Sequence, residues 1–408
     1  MDRRTFLAGG VLGTAGVSAG LVSSRLLCNH ATDSALHVHE LFGPPPPARG
    51  LIPVVGDGKW VWTEPPQGAS GYLDPRRYEL KVGVQLRGTG PASNVKATTA
   101  APVELPEQRV DQVDVQTQGC VAGLRQLTPE SGQLILAARS LARGQVIGAA
   151  AHYVLTICKD HRGFDREQFP YEQEFAKAFR RMYLVDSPGI QTRFKTVRQL
   201  AEQIAGQIAH PWDRARAFQT WVWENIEGRV QYYTSVVRAL KNRVGDCEER
   251  AAVFVALCRA SGIPARLVWI PNHNWAEFYL LDHQGVGHWI PCHTACYKWF
   301  GWTGAHELVL QKGDRILVPE KRRPQRLLAD WMQWEGSRPA VRWFAELQPI
   351  PTGPTQAAGP GARRKDEKGE WLIVNRDPLD DYLRDGPMSN QAPPRSLLTT
   401  RARRDRGD

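Results

Sequence analysis

The clearest pattern in the chain begins at Tyr78. Tyr78, Leu80, Val82, Val84 and Leu86 alternate with Arg77, Glu79, Lys81, Gly83, Gln85 and Arg87. Successive side chains of a strand point to opposite faces, so a strict period of two predicts a strand with one face buried. "VDQVDVQT", "GQLILAA" and "HYVLTIC" are similar runs, split by Pro, Gly and Ser. Residues 72–160 therefore predict a small β-sandwich. After about residue 195 the period becomes helical. Val197, Leu200, Ile204 and Ile208 share one face, and Phe218, Trp221, Val222 and Ile226 share another. Both stripes are read as core and carry no chemistry.

A third helix is bounded more sharply. In "VGDCEERAAVFVALCRASGIP", Asp246 is an N-cap and Glu249 stands at capping-box spacing. Gly262, Ile263 and Pro264 are a stop signal. The helix should run from about 247 to 260, with Cys247 its first residue. "PNHNWAEFYLLD" then alternates, with His273, Trp275, Glu277 and Tyr279 on one face. "DHQG" turns the chain and "VGHWIPCH" returns as a neighbouring strand.

The flanks read differently. Residues 1–30 have the form of a signal peptide: Arg3 and Arg4, then Thr5, Phe6 and Leu7, then a Gly/Ala-rich run too weakly apolar for a good membrane span. The paired arginines resemble the twin-arginine export signal. That implies a periplasmic or cell-envelope location and contact with the export machinery, with no stable membrane span unless the signal stays as an anchor. Residues 31–71, with "FGPPPPARG", read as a stiff linker. Residues 349–408 are rich in Pro, Gly, Arg and Asp and read as a mostly disordered basic tail.

Composition narrows the function classes. The chain has 408 residues, 42% of them hydrophobic, and 14 Trp, which fits a globular protein of two or three domains. The formal net charge is +10, but Arg and Lys are mixed with acids over most of the length. A nucleic-acid binder would gather them on one face or in one run. Nothing in the sequence implies a cofactor. Seven cysteines, an odd number in an exported chain, suggest a free thiol.

Cys247 is the best-placed thiol. At a helix start the first-turn amides and the helix dipole favour thiolate, the nucleophilic form. Asp246, Glu248 and Glu249 oppose this, less so if they point outward into screening solvent. The helix terminus prevails only with a histidine in hydrogen-bond reach. The plain alternative is a structural cysteine, which is also the better reading of Cys258 on the apolar face.

"GDCEERAAVFVALCRASGIPARLVWI", "HNWAEFY" and "GHWIPCHT" together resemble the transglutaminase-like domain of bacterial proteins. The resemblance covers about residues 165–320, and the domain assigned to it spans 161–348. It implies an α+β, papain-like fold with a Cys-His-Asp triad, in which Cys247 is the nucleophile and His273 the general base. The third position departs: His293 stands where the family has Asp. A neutral His293 could accept the orienting hydrogen bond through one ring nitrogen, without the charge. That predicts a loss of activity as His293 protonates, near its ordinary pKa of about 6.5. Tyr232, before the cysteine helix, and Trp275 are candidate oxyanion or substrate contacts.

The implied activity is thiol-dependent acyl transfer or hydrolysis on carboxamide or peptide bonds of a protein or peptide substrate. The alternative is a catalytically inactive binding protein of the cell envelope on the same fold, favoured by the missing Asp. A third reading, a zinc knuckle on Cys292, His293 and Cys296, lacks a second ligand pair, and adjacent strand residues point to opposite faces. No metal is assigned.

Overall fold

The computed structural model describes residues 70–351, except 230, 232, 272, 295–299 and 304–305, and the backbone of 363–365 and 371–373. The signal and linker expected over residues 1–30 and 31–71 lie almost wholly outside the described residues, as does most of the tail.

Strands β1 (Gly71–Arg87), β2 (Ala92–Ala101), β3 (Gln108–Gln118), β4 (Val121–Thr128), β5 (Ser131–Leu141) and β6 (Val146–His161) come first. Helices α1 (Lys177–Tyr183), α2 (Lys195–Ala205), α3 (Pro211–Asn225), α4 (Val236–Asn242) and α5 (Cys247–Ala260) follow, with a short parallel pair, β7 (Glu227–Gly228) and β8 (Val244–Gly245), among them. The chain then gives β9 (Ala265–Ile270), β10 (His273–Leu281), β11 (Gly287–Cys292), β12 (Gln311–Lys312), β13 (Trp331–Gly336), β14 (Ala340–Pro349), β15 (Arg363–Lys365) and β16 (Trp371–Ile373). The fold is α+β.

One sheet has the order β16-β15-β14-β1-β6-β3. The other runs β11-β10-β9-β12-β5-β2-β13, with β4 also on β5. The alternating residues of β1, Tyr78 to Leu86, are buried between the sheets with Val95, Ala97, Leu134 and Leu136. Gly83 lies where a Cβ would fall 2.4 Å from the Phe344 ring and 2.3 Å from Ala149 O, so only glycine lets β14 lie flat there.

Two expected boundaries differ from this architecture. β13 pairs with β2 and β14 with β1, so residues 331–349 complete the sandwich rather than the helical domain, and position 348 falls inside β14. Val341, Trp343, Ala345 and Leu347 of β14 alternate and pack into the sandwich core, but their partner strand β1 lies far away in the chain, so local pattern did not assign them to it. Within the tail, residues 363–365 and 371–373 are strands that extend the same sheet. The second sheet is also continuous across the expected division near 160. The two-residue strand β12 pairs with β9 on one side and with Ser131 of β5 on the other.

α5 is the centre of the other core. All its residues from Glu248 to Arg259 are buried. The stripe of an amphipathic helix would leave one side wet. Here α2, α3, α4, β9 and β10 enclose it, so its charged residues need partners. Glu248 meets Arg326, Arg250 bonds Trp223 O, and Arg259 meets Asp314. Ala276, Phe278 and Leu280 of β10 face α5, while Trp275 packs with Val268, Ile270 and Val309 on the other face. Glu277, on that second face, lies between Arg266 and Lys312. Burial pushes its carboxyl up, but the two cations outweigh it and hold the pKa at about 2.

Candidate active site

Cys247 opens α5, as its sequence implies. Asp246 Oδ1 accepts from the Glu248 and Glu249 amides at 2.8 and 3.4 Å, and Glu249 Oε2 accepts from the Asp246 amide at 3.0 Å. This closes the capping box. A Cβ on Gly245 would lie 2.5 Å from Glu249 Cβ, so a side chain there would push Glu249 out of the box. Gly245 and Asp246 are thus required by the packing and capping of this helix start.

Glu248 and Glu249 do not point outward. They are 1% and 0% exposed. Glu248 Oε1 accepts from Arg326 Nε at 2.7 Å, and Glu249 Oε1 from the Thr234 amide at 2.8 Å. Their charge is met by a guanidinium and by backbone dipoles rather than screened by solvent.

Topology brings Cys247 and His273 to one end of the layer. Residues 261–264 join the end of α5 to the start of β9, and Ile270 pairs with His273. At about 1.5 Å per residue α5 spans about 20 Å, close to the length of β9 at about 3.3 Å per residue. α3 supplies a second tie. Its Gln219 donates from Nε2 to His293 O at 2.9 Å. One turn on, Trp223 O accepts from Arg250 at 3.1 Å, and the Arg250 guanidinium lies 4.9 Å from the Trp223 ring. The first turn of α5 and His293 are therefore both anchored to one turn of α3.

The two histidines are deeply buried, His273 at 5% and His293 at 1%. The His293 ring stacks on Trp275, centroids 4.9 Å apart at 20°, and lies 6.1 Å from His273 at 25°. No hydrogen bond joins the His273 and His293 rings, and among the described residues His273 Nε2 has no hydrogen-bond partner. The orienting bond expected from His293 is replaced by ring packing. Burial pushes His273 down to about 3. Burial, and then the neighbouring His273, hold His293 well below the usual histidine value. His273 is neutral from pH 5 to 8, and His293 is held neutral near pH 6.5, so the expected loss there moves to lower pH.

The stability consequence has a definite sign. The unfolded chain takes up protons on both histidines near pH 6.5 and the folded chain does not, so the folded state is favoured above that pH and loses ground as pH falls. His273 alone should cost about 2 kcal/mol at pH 5. Urea midpoints should fall from pH 7.5 to 5, and less steeply in a His273→Gln, His293→Gln protein. Equal slopes in the two proteins would contradict the assignment.

Other buried polar atoms gather here. Asn274 Nδ2 and Oδ1, Trp269 Nε1, Trp275 Nε1 and Thr294 Oγ1 have no hydrogen-bond partner among the described residues. Asn274 and Trp269 are direct cross-strand neighbours.

The remaining candidates sort as follows. Trp275 is 4% exposed and serves as the floor under His293 rather than as an open substrate wall. Tyr232 and Cys296 lie outside the described residues. Cys292 is buried against the α5 core, where burial pushes its thiol up, as it does for Cys258. His288 is tied to Asp282 at 2.8 Å in the hairpin, and Trp289 carries the Arg266 guanidinium 3.8 Å from its ring centre. Gln219 was not singled out by the sequence pattern. Its signal was a polar residue beside Phe218 on the buried face of an otherwise apolar stripe.

Residues 198–294 match the family model of the transglutaminase-like superfamily. The chain carries a transglutaminase-like domain. The match runs from α2 through α3 and α5 to Thr294 and contains Cys247, His273 and His293. Among solved structures, a proposed cysteine protease from Cytophaga hutchinsonii aligns at 16% identity and TM-score 0.49, covering 69% of this chain and 93% of that one. The periplasmic domain of TgpA from Pseudomonas aeruginosa, bound to ethylmercury, aligns at 14% identity and TM-score 0.25, covering 62% and 87%. A proposed protease from Parabacteroides distasonis aligns at 11% and 0.23, covering 56% and 44%. No curated protein matches the chain. Among the described residues no helix is long and apolar enough to cross a membrane.

Proposed function

We propose that the transglutaminase-like domain is a thiol-dependent amide hydrolase or acyltransferase, exported by the twin-arginine route to the periplasm or cell envelope, that acts on carboxamide or peptide bonds. The observation that carries this reading is a half-buried cysteine at the capped start of a buried helix, at the end of the layer where two neutral histidines stack. Cys247 Sγ attacks the carbonyl carbon and His273 takes the thiol proton. The amide C–N bond then breaks, and the amine leaves with that proton. Water or a second amine attacks the thioester carbonyl, giving up its own proton to His273, and the C–S bond breaks as that proton passes to Cys247 Sγ. The Cys247 amide, in the first turn of α5, is the natural oxyanion donor. His293 stands in the position of the usual Asp and holds His273 by packing.

Iodoacetamide labelling with peptide mapping tests this. Burial pushes the thiols of Cys120, Cys158, Cys258 and Cys292 up, and in a Cys28→Ser, Cys296→Ser background the label should enter at Cys247 well below pH 8. His273→Ala should slow it about a hundredfold, within the range for loss of a general base. Equal labelling in the two proteins would remove His273 from the mechanism. A second reading, an inactive binding protein, draws on the absent hydrogen bond between His273 and His293. It requires Cys247 to be unreactive in the wild type.

A further inference from the structure

Beside the first turn of α5 lies a cleft of about 590 Å³, a size that takes a ligand of several residues. Its walls carry four cations, Arg315, Lys321, Arg323 and Arg326, and one carboxylate, Asp186. Asp186 is already engaged by the Thr192 and Arg193 amides at 2.9 and 3.0 Å and by Arg193 Nε at 3.2 Å. Arg326 is engaged by Glu248, and its guanidinium lies 3.5 Å from the Tyr233 ring centre. Lys321 lies 4.7 Å from the ring centre of Trp331, another wall residue. Arg315 and Arg323 are exposed and make no ion pair among the described residues. The cleft therefore presents two uncommitted guanidinium groups over an apolar floor that includes Val318 and Leu328.

Its position links it to the candidate nucleophile. Arg326 lines the cleft and grips Glu248, the residue after Cys247. A ligand in the cleft rests on the side chain that holds the start of α5. We infer that this cleft binds an acidic segment of polypeptide, the part of the substrate that flanks the bond presented to Cys247. Guanidinium forks match carboxylates in pairs, and the apolar floor suits the side chains between them. Only the word substrate rests on the thiol-enzyme reading; binding of the acidic segment is separate.

The test uses the full chain and fluorescently tagged hexaglutamate and hexaglutamine peptides at low ionic strength. Hexaglutamate should bind about tenfold tighter, the equivalent of about 1.4 kcal/mol. The preference should vanish in an Arg315→Ser, Arg323→Ser protein. It should persist in an Arg139→Ser, Arg143→Ser protein, which loses the same charge from an exposed site on and after β5. All four arginines are exposed, and circular dichroism confirms folding of each variant. Equal weakening in both double variants would reduce the effect to net charge and overturn the inference. So would binding of phosphatidylserine vesicles through Arg315 and Arg323 without binding of the peptide. Iodoacetamide labelling separates the two readings. A labelled Cys247 with no peptide binding leaves the enzyme reading and removes the cleft. Peptide binding with an inert Cys247 does the reverse.

Discussion

An Asp314→Ala protein should lose about 3–5 kcal/mol of folding stability, the usual cost of leaving one member of a buried ion pair without its partner. Arg259 and Asp314 have side chains 2% and 0% exposed. Arg259 Nη2 donates to both carboxylate oxygens at 2.9 Å. Nη2 also reaches Ala265 O at 2.7 Å, as Nε does at 2.9 Å, and Nη1 reaches Val185 O at 3.0 Å and Ser187 Oγ at 2.6 Å. Asp314 also accepts from the Leu267 amide at 3.1 Å. One guanidinium thus ties the end of α5, the start of β9, the 185–187 loop and the turn after β12. Arginine cannot shed its charge, so the alanine protein retains a buried cation. Against a total stability of about 5–15 kcal/mol, that is a large share. The measurement is a urea midpoint at unchanged slope. An Arg259→Met, Asp314→Leu protein should recover most of the loss, because replacing a buried pair together is often neutral. A loss under about 1 kcal/mol in the alanine protein would mean the pair is not buried in solution.

His293→Asp should raise the iodoacetamide labelling rate of Cys247 about tenfold or more near pH 6.5. A carboxylate within about 4–6 Å of a titrating group moves its pKa by about 1–3 units. His273 is held at about 3 by burial alone. A neighbouring anion would oppose that, let His273 keep the proton taken from Cys247, and so favour the thiolate. The substitution gives up the stack of His293 on Trp275, so some stability is lost even as reactivity rises. Labelling that is unchanged or slower, in a folded protein, would show that position 293 does not act on His273.

Much of this was legible from local pattern. The cap at Asp246, the stop at Gly262 and the start of α5 at Cys247 depend on backbone groups within a few residues, so sequence spacing suffices. The alternation of β1 and β10 follows from a fixed geometric period. The sites that were misjudged or left open depend on distant partners. Whether Glu248 and Glu249 point outward was left open by the sequence, because their partners Arg326 and Thr234 lie outside the helix. His293 read as a hydrogen-bond acceptor with an ordinary pKa, because its burial and the stack on Trp275 come from strand packing.

By itself the sequence determined where the central helix begins and ends, that β1 and β10 alternate, that a thiol opens the central helix, and that a histidine occupies the third position. Those features are written in caps, periods and residue identity, all of them short-range. Only the tertiary structure decided that residues 331–349 close the sandwich, that α5 is enclosed on all sides, that both histidines are neutral and ring-packed, and that a basic cleft adjoins the first turn of α5. Each of these depends on what residues remote in sequence do when burial removes water, and desolvation is a property of the packed molecule rather than of any segment of the chain.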